Sequence, residues 1–282
     1  AGFSPDGNFL AYCQRASVGN EVRIYSIDPP AKVALFADHT RCENFAWSPD
    51  SRKILYVQEK LVDADSLERQ FSLRDVDLYD RTWREWHNFV SVGQHRIGKP
   101  TWSPNGEWIS YWKWDEGRGT LWFINTKTKE QFAWDNPSMS RISWLIKGDQ
   151  FLFSEKGNGA PLDIKIGDLN SRTEQSRHAS MVHYVRDISL SPDGTQVFYS
   201  RVGGDSHQDQ FMSFDLSTSV NENLHSTGSF YTWASNGNHF LFDPESSSQD
   251  ELWIYDIQSK KATLFQAGSH GAWGPLPTDR TT

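Results

Sequence analysis

Hydrophobic and polar positions along this chain group into short runs, each ending at a turn signal. Val22-Arg-Ile-Tyr-Ser-Ile27, Ile54-Leu-Tyr-Val57, Leu121-Trp-Phe-Ile124, Val197-Phe-Tyr199 and Leu252-Trp-Ile-Tyr-Asp-Ile257 are rich in β-branched and aromatic residues and too short for helices. Clusters of Ser, Pro, Asp, Asn and Gly separate them, and no helical periodicity competes. The pattern predicts strands from end to end.

The turn signals recur. Phe3-Ser-Pro-Asp-Gly-Asn-Phe-Leu-Ala-Tyr12 returns in the segments from Trp47 to Tyr56, Trp102 to Tyr111 and Leu190 to Tyr199. Weaker copies run from Trp144 to Phe153 and from Trp233 to Phe242. Anchors at 3, 47, 102, 144, 190 and 233 lie 44, 55, 42, 46 and 43 residues apart. In each copy an aromatic residue or Leu ends a strand, and in the four stronger copies Pro sets φ at the first corner. Asp or Asn caps the turn, and Gly tolerates positive φ.

A fainter repeat follows, in which Asp77, Asp168, Asp215 and Asp256 end a third strand before a polar turn and a fourth strand. Four-stranded units at this period predict an all-β chain: a six-bladed β-propeller of antiparallel blades, residues 1–282 forming one domain. Closing the ring protects edge strands. Ala272-Trp273-Gly274-Pro275 resembles one more strand start and is expected to close the ring as the innermost strand of the first blade.

The Trp-Ser-Pro-Asp-Gly copies resemble the TolB-like propeller repeats, also described as WD40-like, from Phe3 to Pro275. Neither the Gly-His nor the Trp-Asp signature of true WD40 repeats occurs in register. The small α/β domain that precedes the TolB propeller has no counterpart, and nine of the thirteen tryptophans cluster between Trp83 and Trp144. The resemblance implies an extracytoplasmic, periplasmic bacterial domain. Such propellers occur alone, fused to hydrolases, or as sensor domains of membrane-anchored winged-helix regulators of the ToxR/CadC type. Because Ala1-Gly2-Phe3 is neither an initiator Met nor a signal peptide and Phe3-Ser-Pro-Asp-Gly7 reads as a strand end entering a turn, the chain is expected to be part of something longer, which suits the sensor arrangement.

Charge narrows the partners. Lys and Arg total 28 against 36 Asp and Glu, a net charge of -8, so direct nucleic-acid contact is disfavoured. Mean hydropathy is -0.64, and no apolar run approaches the ~20 residues of a membrane-spanning helix. Two cysteines exclude a disulfide-dense scaffold and a multi-thiolate zinc site. Cys13 and Cys42 either bridge adjacent blades or remain free thiols.

In this strand order the blade-to-blade loops and the loops between second and third strands share one face, and the Ser-Pro-Asp turns occupy the other. Five of nine histidines, His39, His95, His183, His225 and His270, fall in the blade-to-blade loops. Propeller lyases resembling this family carry a metal on such a face. No close His-x-His or His-x-x-x-His pair supports one here, so neither metal nor cofactor is expected. The 55-residue spacing places an insertion at Glu59 to Gln70, either a partner-contacting flap or a solvated acidic loop. Trp112 and Trp114 lie on one side of a strand end, either as an aromatic platform or as packing between blades.

No Gly-x-Ser-x-Gly elbow occurs, and the recurring turn carboxylates are explained by the blade, so catalysis is not expected. The expected function is a non-enzymatic module that binds a protein or peptide, with His39, Arg41, His95, Arg96, Trp112, Trp114, His183 and His270 as the candidate contact residues. The alternatives are a metal-dependent propeller lyase or hydrolase and the accessory propeller of a serine peptidase.

Overall fold

A computed structural model describes residues 2–15, 20–37, 40–63, 68–92, 96–98, 100–115, 118–134, 142–155, 162–180, 185–202, 209–234, 237–244 and 251–267. The chain is all-β, with six antiparallel blades of the propeller class, three in each of two compact units, residues 1–137 and 138–273. Among the described residues there is no helix, and so none long and apolar enough to cross a membrane.

In the first unit, blade 1 is β1 (Gly2–Phe3), β2 (Phe9–Arg15), β3 (Asn20–Ser26) and β4 (Ala31–Ala37). Blade 2 is β5 (Thr40–Trp47), β6 (Lys53–Asp63), β7 (Glu68–Asp77) and β8 (Trp83–Val92). In blade 3 the innermost strand is broken into β9 (Arg96–Ile97) and β10 (Thr101–Trp102), which both pair with β11 (Trp108–Asp115); β12 (Arg118–Asn125) and β13 (Gln131–Trp134) follow.

In the second unit, blade 4 is β14 (Ile142–Trp144), β15 (Gln150–Glu155), β16 (Leu162–Asp168) and β17 (Thr173–Ser180). Blade 5 is β18 (Val185–Leu190), β19 (Gln196–Val202), β20 (Asp209–Asp215) and β21 (Asn221–Thr227). Blade 6 is β22 (Ser229–Trp233), β23 (His239–Asp243), β24 (Glu251–Asp256) and β25 (Lys261–Ala267). All six repeat anchors fall in the innermost strand of a blade, as the spacing predicts. The expected closing strand near Trp273 lies outside the described residues, while Gly2 and Phe3 pair with Ala11 and Leu10 as the first blade's own short inner strand.

The recurring turn is a small hydrogen-bonded device. Ser4 Oγ donates to Asp6 Oδ1 at 2.6 Å and accepts from the Phe9 amide at 2.9 Å, while Asp6 accepts from the Asn8 amide at 3.0 Å. Ser48 with Asp50, Ser103 with Asn105 and Ser191 with Asp193 repeat the arrangement. Gly7, Gly106 and Gly194 take the positive-φ corner, and Ser51 takes it in blade 2 at φ 59. These carboxylates are consumed by the backbone and are scaffolding.

A second corner is less visible in the sequence. Arg81, Lys129, Arg172, Ser219 and Lys260 all adopt positive φ just before an outermost strand, four positions after Asp77, Asn125, Asp168, Asp215 or Asp256. No glycine marks them. The preceding Asp or Asn compensates by accepting backbone N–H bonds across the turn, as Asp215 does from Ser217 and Thr218 at 2.9 and 2.8 Å. Register irregularities between third and fourth strands recur in blades 1, 2, 4, 5 and 6, where they sharpen the twist a blade needs.

Within each unit, cores lie between successive sheets. Leu55, Val57, Phe71 and Leu73 of blade 2 meet Ile97, Ile109, Tyr111 and Ile124 of blade 3. Phe198 and Phe211 of blade 5 meet Phe240, Phe242 and Tyr255 of blade 6. Between blades 5 and 6, Gly228 has φ +146, and a Cβ there would lie 2.0 Å from the Asp243 carbonyl oxygen. Gly228→Ala is therefore expected to cost more than about 2 kcal/mol. A urea unfolding midpoint equal to that of the parent protein would contradict this.

Candidate functional site

On the side carrying the blade-to-blade loops, the candidates named above separate into three groups. His39, His95, His183 and His270 lie outside the described residues. Arg41 and Arg96 belong to strands β5 and β9, and their side chains lie outside the described ones, as do those of Cys13 and Cys42. His225, expected in a loop, sits within β21. Among the described residues no cluster of His, Cys, Asp or Glu has the arrangement of a metal site.

Trp112 and Trp114 are the third group. Alternation along β11 puts them on one side, with ring centroids 6.2 Å apart and planes at 32°. Both are half-buried. The register sets Trp114 opposite Gly119, and a Cβ on Gly119 would touch its ring at 3.1 Å. Gly98 is equally close-fitting: its amide donates to the Trp112 carbonyl, and a Cβ there would lie 2.8 Å from Trp112 Cβ. The indoles thus cover backbone at two glycines, so packing accounts for much of their surface.

Most of the described part of the insertion at Glu59 to Gln70 is paired strand and not loop. Strands β6 and β7 stay paired as far as Leu61↔Arg69 and Asp63↔Glu68, and β8 continues beside them to Val92. Apolar β-formers at Leu61, Val62 and Val90 extend the ladders beyond the core. The result is a projecting three-stranded sheet. Glu59 is buried and pairs with Arg69, and Phe71 stacks on Phe89 at 5.2 Å. Lys113 of blade 3 lies 4.7 Å above the Phe89 ring. Beyond this support, Leu61, Val62 and Val90 are 48%, 52% and 51% exposed.

Sequence reasoning missed a second site, at the opposite, Ser-Pro-turn end of blades 2 and 3. A cavity of about 290 Å³ opens there between Ser48, Lys53, Arg84, Trp86, Trp102 and Thr126. Trp86, one of its lining residues, is tied to a buried carboxylate. Trp86 Nε1 donates to Asp75 Oδ2 at 2.6 Å, and Trp102 meets Trp86 edge-on at 6.4 Å. Lys129 Nζ sits 3.8 Å above the Trp86 ring and the Arg84 guanidinium 5.2 Å from it, both held by cation–π attraction.

Burial pushes the Asp75 carboxyl above its ordinary value, opposed by the Trp86 bond and by Lys53, Arg84 and Lys129. Burial and the neighbouring Arg84 push the Lys129 ammonium down. The stretch Trp83-Arg-Glu-Trp86 hints at this cluster, but Lys53 and Lys129 are brought to it only by the fold.

Two further buried polar atoms lie between the same blades. His87 Nε2 and Tyr111 Oη have no hydrogen-bond partner, and their rings are 5.6 Å apart. Burial, with a smaller contribution from Lys113, holds His87 below the usual imidazole value, and burial drives the Tyr111 hydroxyl strongly upward.

No protein-family model matches the chain, and no curated protein sequence does. Solved structures do. TolB from Acinetobacter baumannii superposes with a TM-score of 0.64 at 17% identity, over 94% of this chain and 66% of that one. An oligogalacturonate lyase in complex with manganese gives 0.70 at 13%, over 93% and 74%. Prolyl oligopeptidase B from Galerina marginata gives 0.73 at 11%, over 94% and 41%.

In fold, this chain is a TolB-like propeller. It spans about two-thirds of the TolB structure and two-fifths of the peptidase, matching the propeller domain architecture of both. At these identities the likeness is one of fold, which hosts many functions.

Proposed function

We propose that this propeller is a non-catalytic recognition module, the extracytoplasmic sensing part of a longer bacterial protein, that holds a protein partner on the projecting sheet of blade 2. The observation that carries the reading is the exposure of Leu61, Val62 and Val90 on strands that remain hydrogen-bonded. Apolar side chains on an ordered projection offer buried area to a partner without the entropic cost of ordering a loop. The extracytoplasmic and sensory part of the reading rests on the repeat resemblance and on the TolB-like fold.

Cross-linking of the purified chain to extracts, with mass-spectrometric identification, tests the proposal. Partners held by the parent protein should bind at least about tenfold more weakly to a Leu61→Lys/Val62→Lys variant, a loss of about 1.4 kcal/mol, while its unfolding midpoint stays unchanged. Equal capture by both proteins would overturn the docking surface. Stoichiometric Mn, Ca or Zn in the purified protein, lost on His95→Ala/His183→Ala substitution, would overturn the non-catalytic reading in favour of a metal-dependent enzyme.

A further inference from the structure

We propose that the cavity between the Ser-Pro turns of blades 2 and 3 binds a small organic monocarboxylate with a flat apolar body. Three observations converge on it. The first is charge. Lys53, Arg84 and Lys129 gather around Trp86, against the two carboxyl groups of Asp75 below and Asp50 at the rim. Of the charged side chains that line the cavity, Lys53 and Arg84 less Asp50 leave one positive charge, which suits a singly charged anion better than a phosphate dianion. Arg84 supplies a planar fork that pairs with both oxygens of a carboxylate.

The second is a donor left without an acceptor. In blades 2 and 6 the anchor tryptophan's indole N–H bonds back to the preceding blade. Trp47 Nε1 donates to the Gly2 carbonyl at 3.1 Å, and Trp233 Nε1 to Ser189 Oγ at 3.1 Å. Each acceptor sits one residue before the preceding anchor, the position that Ala46 holds in blade 2, and Trp102 makes no such bond. Trp102 Nε1 is buried and has no hydrogen-bond partner. A buried indole N–H without an acceptor is costly, so Trp102 stands to gain from an acceptor that a small shift of the surrounding side chains would admit. Trp102, whose indole donor is unused, lines the cavity.

The third is preorganisation. Arg84 and Lys129 are not free-swinging surface cations, because both are stacked on Trp86, whose own N–H is tied to Asp75. Gln131 Nε2 donates to the Trp86 carbonyl at 2.9 Å and fixes blade 3 to blade 2 beside the cavity. A volume of about 290 Å³ lies at the small end of organic-ligand sites, matching a single ring with one carboxylate.

Benzoate is the probe, with benzamide as its neutral isostere and phenyl phosphate as the dianion. Titration of the full chain is followed by calorimetry and by the indole N–H resonance of Trp102, assigned by its loss in Trp102→Phe. Benzoate should bind saturably and move that resonance; benzamide and phenyl phosphate should bind at least tenfold more weakly. Arg84→Gln and Lys53→Gln, at solvent-accessible positions, should each weaken benzoate about tenfold while the variants remain folded, with at most a small fall in the unfolding midpoint. Absence of saturable benzoate binding, equal binding of benzamide, or undiminished affinity in both variants would overturn the proposal. So would preference for a short acidic peptide over benzoate.

Discussion

Replacing Phe240 by Ala is expected to destabilise the protein by about 3–5 kcal/mol. Phe240 is fully buried on β23, and six aromatic rings surround it: Phe198, Phe211, Phe230, Trp233, Phe242 and Tyr255, with centroids between 4.8 and 5.9 Å. Removing the ring takes away its transfer free energy and leaves a cavity that the surrounding aromatic packing cannot refill, because large planar side chains have few alternative rotamers. Phe240→Leu keeps most of the volume and should cost markedly less. Urea unfolding of the two variants separates these cases, and a loss below about 1 kcal/mol for the alanine variant would show that the cluster collapses around the gap.

The second large expectation concerns acid. Asp6, Asp77, Glu85, Asp168, Asp193, Asp215 and Asp256 all ionise more readily in the folded protein than in the free chain. At Asp168 the Ser171 amide and Gln150 are responsible; at Asp256 the backbone and side chain of Ser259. Asp215, held by Ser217 and Thr218, falls to about 2. For Asp77, burial works upward but the Arg52 bond and the Asp80 and Tyr79 amides outweigh it.

A lowered folded pKa means that the unfolded chain takes up protons first. The stabilisation is complete above the unfolded carboxylate value of about 4 and disappears as pH falls through the folded values toward about 2. Asp75, raised by burial, acts in the opposite direction and gains as it protonates. His87, lowered by burial, adds an earlier loss, beginning as pH falls below the ordinary 6.5 where the unfolded imidazole charges.

The urea midpoint should therefore decline gently from pH 7 and steeply below about pH 4. His87→Gln should remove its share of the gentle decline. Asn at 168 and 215 retains a turn-capping oxygen without a titrating proton, so the double substitution should flatten the steep arm. A midpoint that stays constant from pH 7 to pH 3 would show that these turn carboxylates contribute no net linkage.

Much of the architecture was legible because a blade repeats its local chemistry. Ser4-Pro5-Asp6-Gly7 and its copies carry their own hydrogen-bond partners within five residues, so each turn can be read wherever it occurs. The six anchors and the four strands per blade follow from those turns and from the runs between them. The positive-φ corners at Arg81, Lys129, Arg172, Ser219 and Lys260 were not legible as such, because the Asp or Asn four residues earlier does the work that glycine would otherwise announce.

The insertion after Val57 was visible as a change of period, but its conformation was not. Whether Glu59 faces solvent or Arg69 depends on whether β6 and β7 stay in register, which is a pairing property and not a property of either segment.

From its own order of residues the protein determines the strand content, the repeat, the scaffolding role of the turn carboxylates and the adverse charge for nucleic acid. Those are local or additive quantities, readable without knowing which residues meet. The tertiary structure alone decided that Lys53, Arg84 and Lys129 gather about Trp86, that Trp102 keeps an unused donor, and that the half-buried His87 lies against the buried Tyr111. Sites of that kind arise where two sheets face each other. Their members come from turns and strands up to some eighty positions apart, and only packing sets the distances on which their chemistry depends.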